Sequence, residues 1–506
     1  MEEIVAAISR LFFAFNGKEE DRIEKLPQSG SDRIYFRIYA GNKTYIATHN
    51  LNIKENETFI VFTQHFLNAS LPMPEIYSVN DDKTIYIQED LGTSSLLDKL
   101  EQNGHNDYTY GLFQRSLKEL SRVQIIGNKG LNYDEWCLTA KDFGKQAIMS
   151  DLLYFKYYFL DTLKTPYDKQ AMLNDFETLS SYLTNVEHKY FMFRDFQSRN
   201  VIVENDDPHF IDYQGGMKGA LQYDVASLLW QAKANLSDDW KNNLLEDYMD
   251  EAELLLEKRI DRPQFISQFN GYVLIRLLQV LGAYGFRGLF ERKAHFLSSI
   301  PLALRNVKFF IDNKSIGVAI PEFDRMMKMM VQDEVIKRFE TTRATEETPL
   351  VVDICSFSYK KVLPVDASPN GGGFMFDCRG ILNPGRFKEY KCLTGRDKEV
   401  VDFLEQRTKM PEFLNSVFDV VDISVEDYIK RGFSNLMIGF GCTGGQHRSV
   451  YAADCLARHL KNKFAVKVAV SHKVQDEKNW CNQPVTTEEE ETVNGTPYHN
   501  VVQLKS

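Results

Sequence analysis

Asp195 and Asn200 stand five positions apart in Arg194-Asp195-Phe196-Gln197-Ser198-Arg199-Asn200, and Asp212 follows twelve residues later, directly after Phe210-Ile211. These are the residue types that phosphoryl transfer uses: a carboxylate beside the acceptor hydroxyl, and hard oxygen ligands that hold magnesium against nucleotide phosphates. Asp195 would accept the hydroxyl proton, and Asn200 and Asp212 would bind Mg2+. The competing interpretation is that Asp195 and Asn200 are turn residues between strands, where both types are common. A lone Asp-x4-Asn favours that interpretation. The strand-borne Asp212 at the right distance, together with a Gly/Ser turn and hairpin near the chain start, reverses the balance.

A second constellation lies at 436–456. Leu436 to Phe440 is strand-like, Gly441-Cys442-Thr443-Gly444-Gly445-Gln446-His447-Arg448 is a glycine-rich turn, and Ser449 onward is helical in pattern. A turn of this kind opening a helix aims backbone N–H groups at one point, and the helix dipole favours an anion there. Arg448 adds a bidentate donor for phosphate. The spacing Cys442-x5-Arg448 is also that of cysteine phosphatases, in which a thiolate attacks phosphorus, and a helix N-terminus with an arginine lowers a thiol pKa. The alternatives are a turn whose glycines serve geometry alone and a Cys442 that is only a small buried side chain.

The elements that must position these groups follow from periodicity. Ile4 to Phe15 is apolar at helical spacing. Ile34 to Tyr39 and Thr44 to Thr48 read as strands joined at Gly41-Asn42, Glu57 to Asn68 as a helix, and Ile85 to Gln88 as a strand leading into Glu89-Asp90-Leu91-Gly92. Residues 110–185 are helical in pattern. Short strands are expected at Tyr190–Phe193, Asn200–Val203 and His209–Asp212, and helices again from Tyr223 to about Met330. A β-rich small lobe before a helical large lobe is the order of a two-lobed protein-kinase-like fold. Beyond a polar stretch at 329–349, taken as a linker, strands at 351–354, 374–377, 436–440 and 465–470 alternate with helices at 398–407, 411–430 and 449–461. That alternation predicts a small α/β domain. The expected organisation is 1–328, linker 329–349, 350–475, and an acidic, disordered tail from Asp476 that includes Glu488 to Glu491; overall, α/β and α+β.

The composition is that of a globular protein, with 43% hydrophobic and 26% charged residues, which excludes a disordered chain. No run of 18 or more purely apolar residues suggests a membrane span, and Met1-Glu2-Glu3-Ile4 does not open like a secretory signal. Seven scattered cysteines without a CxxC pair indicate reduced thiols and a cytoplasmic protein. Of the net charge of −11, residues 350–475 carry 18 Lys and Arg against 14 Asp and Glu, so a mildly basic module sits in an acidic chain. That excess is modest for neutralising nucleic-acid phosphates.

Phe193 to Val203 resembles the catalytic loop of the aminoglycoside phosphotransferase (choline kinase-like) superfamily, and more narrowly that of the AmgK-like N-acetylmuramate/N-acetylglucosamine anomeric kinases. Ile211-Asp212-Tyr213-Gln214-Gly215, Tyr223 to Leu229, Leu278 to Tyr284 and Glu89-Asp90-Leu91-Gly92 agree with that subgroup, and the resemblance covers residues 5–325. It implies ATP and Mg2+ as cofactors, an N-acetylated amino sugar as acceptor at its anomeric hydroxyl, and a role in cell-wall sugar recycling. It assigns Asp195 as base, Asn200 and Asp212 as metal ligands, Asp224 as structural, and Ser31, Arg33, Glu89 and Leu91 to the nucleotide. The lysine expected on the second hairpin strand is missing, since Ile46-Ala47-Thr48-His49 stands there. Arg33 or Arg37 is a substitute to consider, although Arg37 reads first as a solvated strand residue.

Gly441 to Val450 resembles the signature of the C-terminal domain of the RNase adapter RapZ, with support from Ser356 to Lys360, Phe376 to Pro384 and Leu393 to Asp397. No Walker lysine loop precedes it. This resemblance implies a ligand like glucosamine 6-phosphate held by Asp377, Arg379, Asn383, Cys442, Thr443, Gly445, His447 and Arg448, with RNA as a possible partner in some members. Two other functions compete with a sugar kinase carrying a sugar-phosphate sensor: a kinase with a cysteine-phosphatase module, and an RNA-binding adapter on a kinase-like platform.

Overall fold

The computed structural model describes residues 2–26, 33–138, 140–186, 189–291, 294–340, 342–361, 363–366, 368 and 372–482. The chain divides into two compact units, Met1–Phe339 and Glu340–Ser506, each with its own core.

The first unit opens with helix α1 (Glu2–Asn16) and an antiparallel sheet of β1 (Arg22–Lys25), β2 (Ile34–Ala40), β3 (Lys43–His49), β4 (Ile76–Val79) and β5 (Ile85–Glu89), in the order β1-β2-β3-β5-β4. Side chains alternate across a strand. Phe36 and Ile38 therefore join Tyr45, Ala47 and Ile87 against Ile8 and Phe12 of α1. The opposite face carries Tyr35 and Arg37, Ile46 and Thr48, and Tyr86 and Gln88, matched across the sheet by the register Tyr35↔Thr48↔Tyr86 and Arg37↔Ile46↔Gln88. Helix α2 (Ile53–Asn68) starts at Asn52, whose side chain accepts from the Glu55 N–H at 3.3 Å, and its Phe59 stacks on Tyr86. The hairpin and both its strands match the sequence reading; β1 and β4, short and without alternation, were not anticipated.

The helical part is built around α3 (Asp107–Ile125), α4 (Lys145–Tyr158), α5 (Leu221–Leu229) and α6 (Arg262–Tyr284). Between them run two small ladders. β6 (Lys189–Met192) pairs with β9 (Met217–Ala220), and β7 (Val201–Glu204) pairs with β8 (Asp207–Phe210). Asn205 and Asp206 both take positive φ, 50° and 69°, as a two-residue hairpin turn requires. The segment 193–200 thus bridges the two ladders. The third expected strand, placed at His209–Asp212, ends at Phe210, because Asp212 itself has φ 65° and cannot continue a ladder.

The stretch Arg262–Phe290 is long and apolar enough to cross a bilayer by composition. Here α6 is a core helix: Gln268, Asn270 and Arg276 are buried and hydrogen-bonded to protein groups. The first unit also reaches past its expected end. Within the segment read as linker, α7 (Asp333–Lys337) buries Ile336, and Phe339 packs 5.7 Å from Phe159, so apolar residues inside a polar stretch hold it to the core.

The second unit is a parallel sheet of β10 (Val351–Ser358), β11 (Gly373–Asp377), β12 (Asn435–Cys442) and β13 (Lys467–His472), in the order β11-β12-β10-β13. Helices α8 (Lys398–Arg407), α9 (Met410–Arg431) and α10 (Arg448–Phe464) pack Phe403, Val417, Val421, Leu456 and Leu460 with Val352, Ile354, Ile438 and Phe440. The chain leaves β10 towards β11 on one side and leaves β12 towards β13 on the other. The carboxyl ends of β10 and β12, at Ser358 and Cys442, therefore flank the point where strand order reverses, the usual crevice for a ligand. Residues 476–482, read as the start of the acidic tail, are ordered: Asp476 accepts the His472 N–H at 2.7 Å and the Trp480 ring meets His472. Residues 483–506 lie outside the described residues.

With separate cores, a fragment spanning residues 340–482 is expected to fold alone. Urea titration followed by circular dichroism should give one cooperative transition for it.

Candidate functional site

The bridge between β6 and β7 is fixed from below by a buried carboxylate. Asp224, fully buried on α5, accepts the Phe193 N–H at 2.8 Å, the Arg194 N–H at 3.2 Å and the Gln124 amide at 3.3 Å. Burial pushes its pKa up to about 7, against the opposing pull of those donors. The clamp holds Arg194 at φ 77°, a left-handed conformation that a long side chain adopts only under constraint. The Arg194 side chain turns away to Asp151 of α4 at 2.8 Å and lies 4.5 Å over Phe143. The next residue, Asp195, therefore projects outward, with its side chain 52% exposed.

Arg276, reaching in from α6, places Nη1 3.6 Å from Asp195 Oδ1 and 3.4 Å from the Arg194 carbonyl, and it also bonds Tyr223 and Gln279. Ser198 is held through both its N–H and its hydroxyl by Gln231, at 3.0 and 2.6 Å. Asn200 donates from Nδ2 to the Asp195 carbonyl at 3.0 Å and to Asp212 Oδ2 at 3.2 Å. Asp212 Oδ1 accepts from Arg33 at 2.9 Å and from Gln214 at 2.9 Å. The Asn200 amide thus ties the Asp195 backbone to the Asp212 carboxylate.

No group of three or more His, Cys, Asp or Glu able to hold a metal occurs among the described residues. Asn200 and Asp212 instead offer two oxygen donors, the sparse protein share typical of Mg2+ completed by phosphates and water. They fit that ion, and the Asn200 amide nitrogen is engaged in a way that leaves its oxygen for the cation.

On the nucleotide side the outcome is mixed. Ser31 lies outside the described residues. Arg33 turns to Asp212 and Glu55. Glu89 is tied to the Glu75 N–H through its carboxylate at 3.1 Å. The buried Leu91 has an N–H without a hydrogen-bond partner among the described residues, as an adenine-binding hinge would present. Arg37 is not the solvated strand residue expected. Its side chain is 15% exposed and grips Asp90 with two bonds of 2.6 and 3.1 Å, because it faces the side of the sheet away from α1. Sequence reasoning missed Asp151, Gln231, Glu55 and Arg276. Only Arg276 left a signal, as a lone charge inside Val273-Leu274-Ile275-Arg276-Leu277-Leu278.

In the second unit the loop after β12 closes around Cys442. Its Sγ accepts the Gly445 N–H at 3.1 Å and lies 3.2 Å from the Ser449 hydroxyl. Gly445 has φ 62°, which a glycine adopts without strain. Arg448, 3% exposed, donates to the carbonyls of Ile381 at 2.6 Å and Arg379 at 3.2 Å, while its buried Nε has no partner. Among the described residues no carboxylate pairs with it, and burial pulls its pKa down. A buried guanidinium without a counter-charge is costly, and an anion in the loop would supply one.

Asp377 and Arg379 pair with each other at 2.7 Å, and Arg379 stacks 3.9 Å over Tyr359. Thr443 Oγ1 lies 3.5 Å from Arg448. His447 Nε2 meets the Tyr390 carbonyl at 2.8 Å, and Asn383 caps the Gly385 N–H in the turn lying against His447. All eight residues expected at this pocket therefore fall in one neighbourhood. Burial lowers the His447 pKa, and Asp377 is held low by Arg379.

Residues 22–259 match the model of the phosphotransferase enzyme family, and residues 350–476 match that of the RapZ C-terminal domain. The chain joins a phosphotransferase-family domain to a RapZ C-terminal domain. A nucleotide-binding protein of Fervidobacterium nodosum is 34% identical over 199 residues, which cover 37% of this chain and 66% of that protein. One from Bacillus cytotoxicus is 30% identical over 182 residues, covering 35% and 59%. The chain thus spans just under two thirds of these curated relatives at most. Similar solved structures include an amicoumacin kinase (9% identity, TM-score 0.44, 64% of this chain and all of that one) and the choline kinase of Cryptosporidium parvum (12%, 0.44, 65% and 99%). The two-lobed kinase-like domain followed by a small α/β domain is the fold expected from the sequence.

Replacing Asp224 by Ala in the phosphotransferase-family domain leaves two buried backbone N–H groups unpaired. It is expected to cost about 2–4 kcal/mol, seen as a lower urea midpoint, with Asp224→Asn less damaging.

Proposed function

We propose that the chain is an ATP- and Mg2+-dependent phosphotransferase whose acceptor is a hydroxyl, at the anomeric carbon, of an N-acetylated amino sugar in cell-wall recycling, and that its RapZ C-terminal domain binds a related sugar phosphate. The observation that carries the first part is the convergence of Asp195, Asn200 and Asp212 through the Asn200 amide. The family match of residues 22–259 supports it.

In this reading the half-exposed Asp195 orients the acceptor hydroxyl and accepts its proton as the bond to phosphorus forms. Arg276 and the Asn200 amide keep the Asp195 backbone and carboxylate in place. Asn200 and Asp212 would hold Mg2+, which when bound offsets charge on the nucleotide phosphates. Leu91 offers its N–H to the adenine edge, with Glu89 alongside. Arg33 and Ser31 serve the phosphate side.

For the second domain, the observation is the buried Arg448, which pairs with no carboxylate among the described residues, with Thr443, His447 and the Asp377–Arg379 pair near it. Phosphate fits the arginine, and the neutral and acidic groups suit an amino sugar. A phosphatase role has one observation in its favour, the N–H and hydroxyl that converge on Cys442 Sγ. Release of phosphate from an aryl phosphate, lost in Cys442→Ser, would establish it. An RNA partner has only the mild positive charge behind it.

Coupled ATP turnover against N-acetylmuramate, N-acetylglucosamine, glucosamine and kanamycin tests the first part. Asp195→Asn is expected to lower kcat by about 100- to 10,000-fold with little change in the KM for ATP; turnover with none of the four, or an unaffected variant, overturns it. For the second domain, Arg448→Ala should abolish glucosamine 6-phosphate binding in calorimetry while kinase turnover persists.

A further inference from the structure

The second hairpin strand, β3, carries its one lysine, Lys43, exposed beside the hairpin turn and none at Ile46 to Thr48, while an arginine stands immediately before the strand beside it. Thr48 of β3 faces the side of the sheet away from α1, between Tyr35 and Tyr86, and is fully buried. It is too small to bring a charge to a phosphate. Arg33, immediately before β2, sends its guanidinium between Asp212 and Glu55. Nη2 lies 2.9 Å from Asp212 Oδ1, and Nε lies 3.5 Å from Glu55 Oε1 on α2.

Several features separate this from an ordinary surface ion pair. The Arg33 side chain is 11% exposed, and its buried Nε makes no hydrogen bond, since the Glu55 contact is an ion-pair distance only. Glu55 is itself anchored, accepting from the Asn50 amide at 2.9 Å, and its N–H is bound by the cap residue Asn52. Arg33 also reaches only one oxygen of Asp212, while Asn200 takes the other. A cation from the small-lobe sheet region held by a helix glutamate, beside an aspartate that follows a short strand, is an arrangement that phosphoryl transfer uses to seat the nucleotide phosphates. Here a planar, permanently charged fork replaces a point charge, so it can meet two phosphate oxygens at once.

We propose that Arg33 is the residue that binds the nucleotide phosphates, where Ile46 to Thr48 of β3 offer no lysine, and that Glu55 is the positioning residue that aims it. This rests on the phosphotransferase reading above and adds Glu55 and the geometric reason for Arg33.

The test is calorimetric titration of the full chain with MgATP and, separately, with adenosine, which lacks phosphates. Arg33→Met is expected to weaken MgATP binding about ten-fold or more while adenosine stays within about two-fold; charge-assisted bonds to phosphate are of that order. Arg33→Lys should recover part of the loss. Arg33→Met combined with Thr48→Lys should also recover part, because it puts a cation at that position of β3. Glu55→Gln should weaken MgATP about three- to ten-fold, through loosened positioning of a charge that remains. Thermal unfolding of each variant identifies any that fail to fold, and Arg33→Lys then decides. Arg33→Met with unchanged MgATP affinity, or with equal loss of adenosine, overturns the proposal while the phosphotransferase reading survives. A native chain that binds neither MgATP nor adenosine removes that reading and this one together.

Discussion

One buried carboxylate sets the geometry of the phosphotransferase-family domain. Asp224 has no water to solvate it, so its oxygens are satisfied by the N–H groups of Phe193 and Arg194 and by Gln124. That clamp imposes the left-handed turn at Arg194, sends the arginine side chain inward to Asp151 and leaves Asp195 facing out. The strain of such a conformation, about 1–3 kcal/mol, is sustained because the donors it satisfies would cost as much unpaired. Around it Phe193 packs on Phe191, Phe196 and Phe210, so the segment cannot shift without opening the core.

The same logic of opposing buried charges runs through both domains. In the first, Asp212 is shared among Arg33, Gln214 and Asn200, and Arg37 is matched by Asp90. In the second, Asp454 takes two bonds from Arg396 and one from His472, whose other nitrogen meets Ser356. Arg448 is the exception, a buried cation bonded only to neutral oxygens. A buried cation held by neutral oxygens is what an anionic ligand would complete.

Much of this was legible in the residue order, for definite reasons. The alternation Ile34-Tyr35-Phe36-Arg37-Ile38 identified a two-sided strand, and Gly41-Asn42 its turn. The Asp-x4-Asn spacing with a following strand aspartate pointed to the metal-side residues, and the Gly441–Arg448 turn to the anion loop. Strands β1, β4 and β9 were not legible, because Arg22–Lys25, Ile76–Val79 and Met217–Ala220 carry too few periods to stand out. The end of the first unit was misjudged because Ile336 and Phe339 are isolated apolar residues in a polar segment.

The sequence by itself determined which chemistry was on offer: two carboxylates and an amide of the types that handle phosphoryl groups, and a glycine-rich turn with an arginine that suits an anion. Such choices depend on side-chain type and local spacing, which the chain order carries directly. The tertiary structure alone decided which charges oppose which. That Arg33 meets Asp212 across 179 positions, that Arg276 reaches Asp195 from helix α6, and that Arg448 pairs with no carboxylate among the described residues are outcomes of packing between distant segments. Pairing across such distances is set by where the cores place the strands and helices, and no local pattern encodes it.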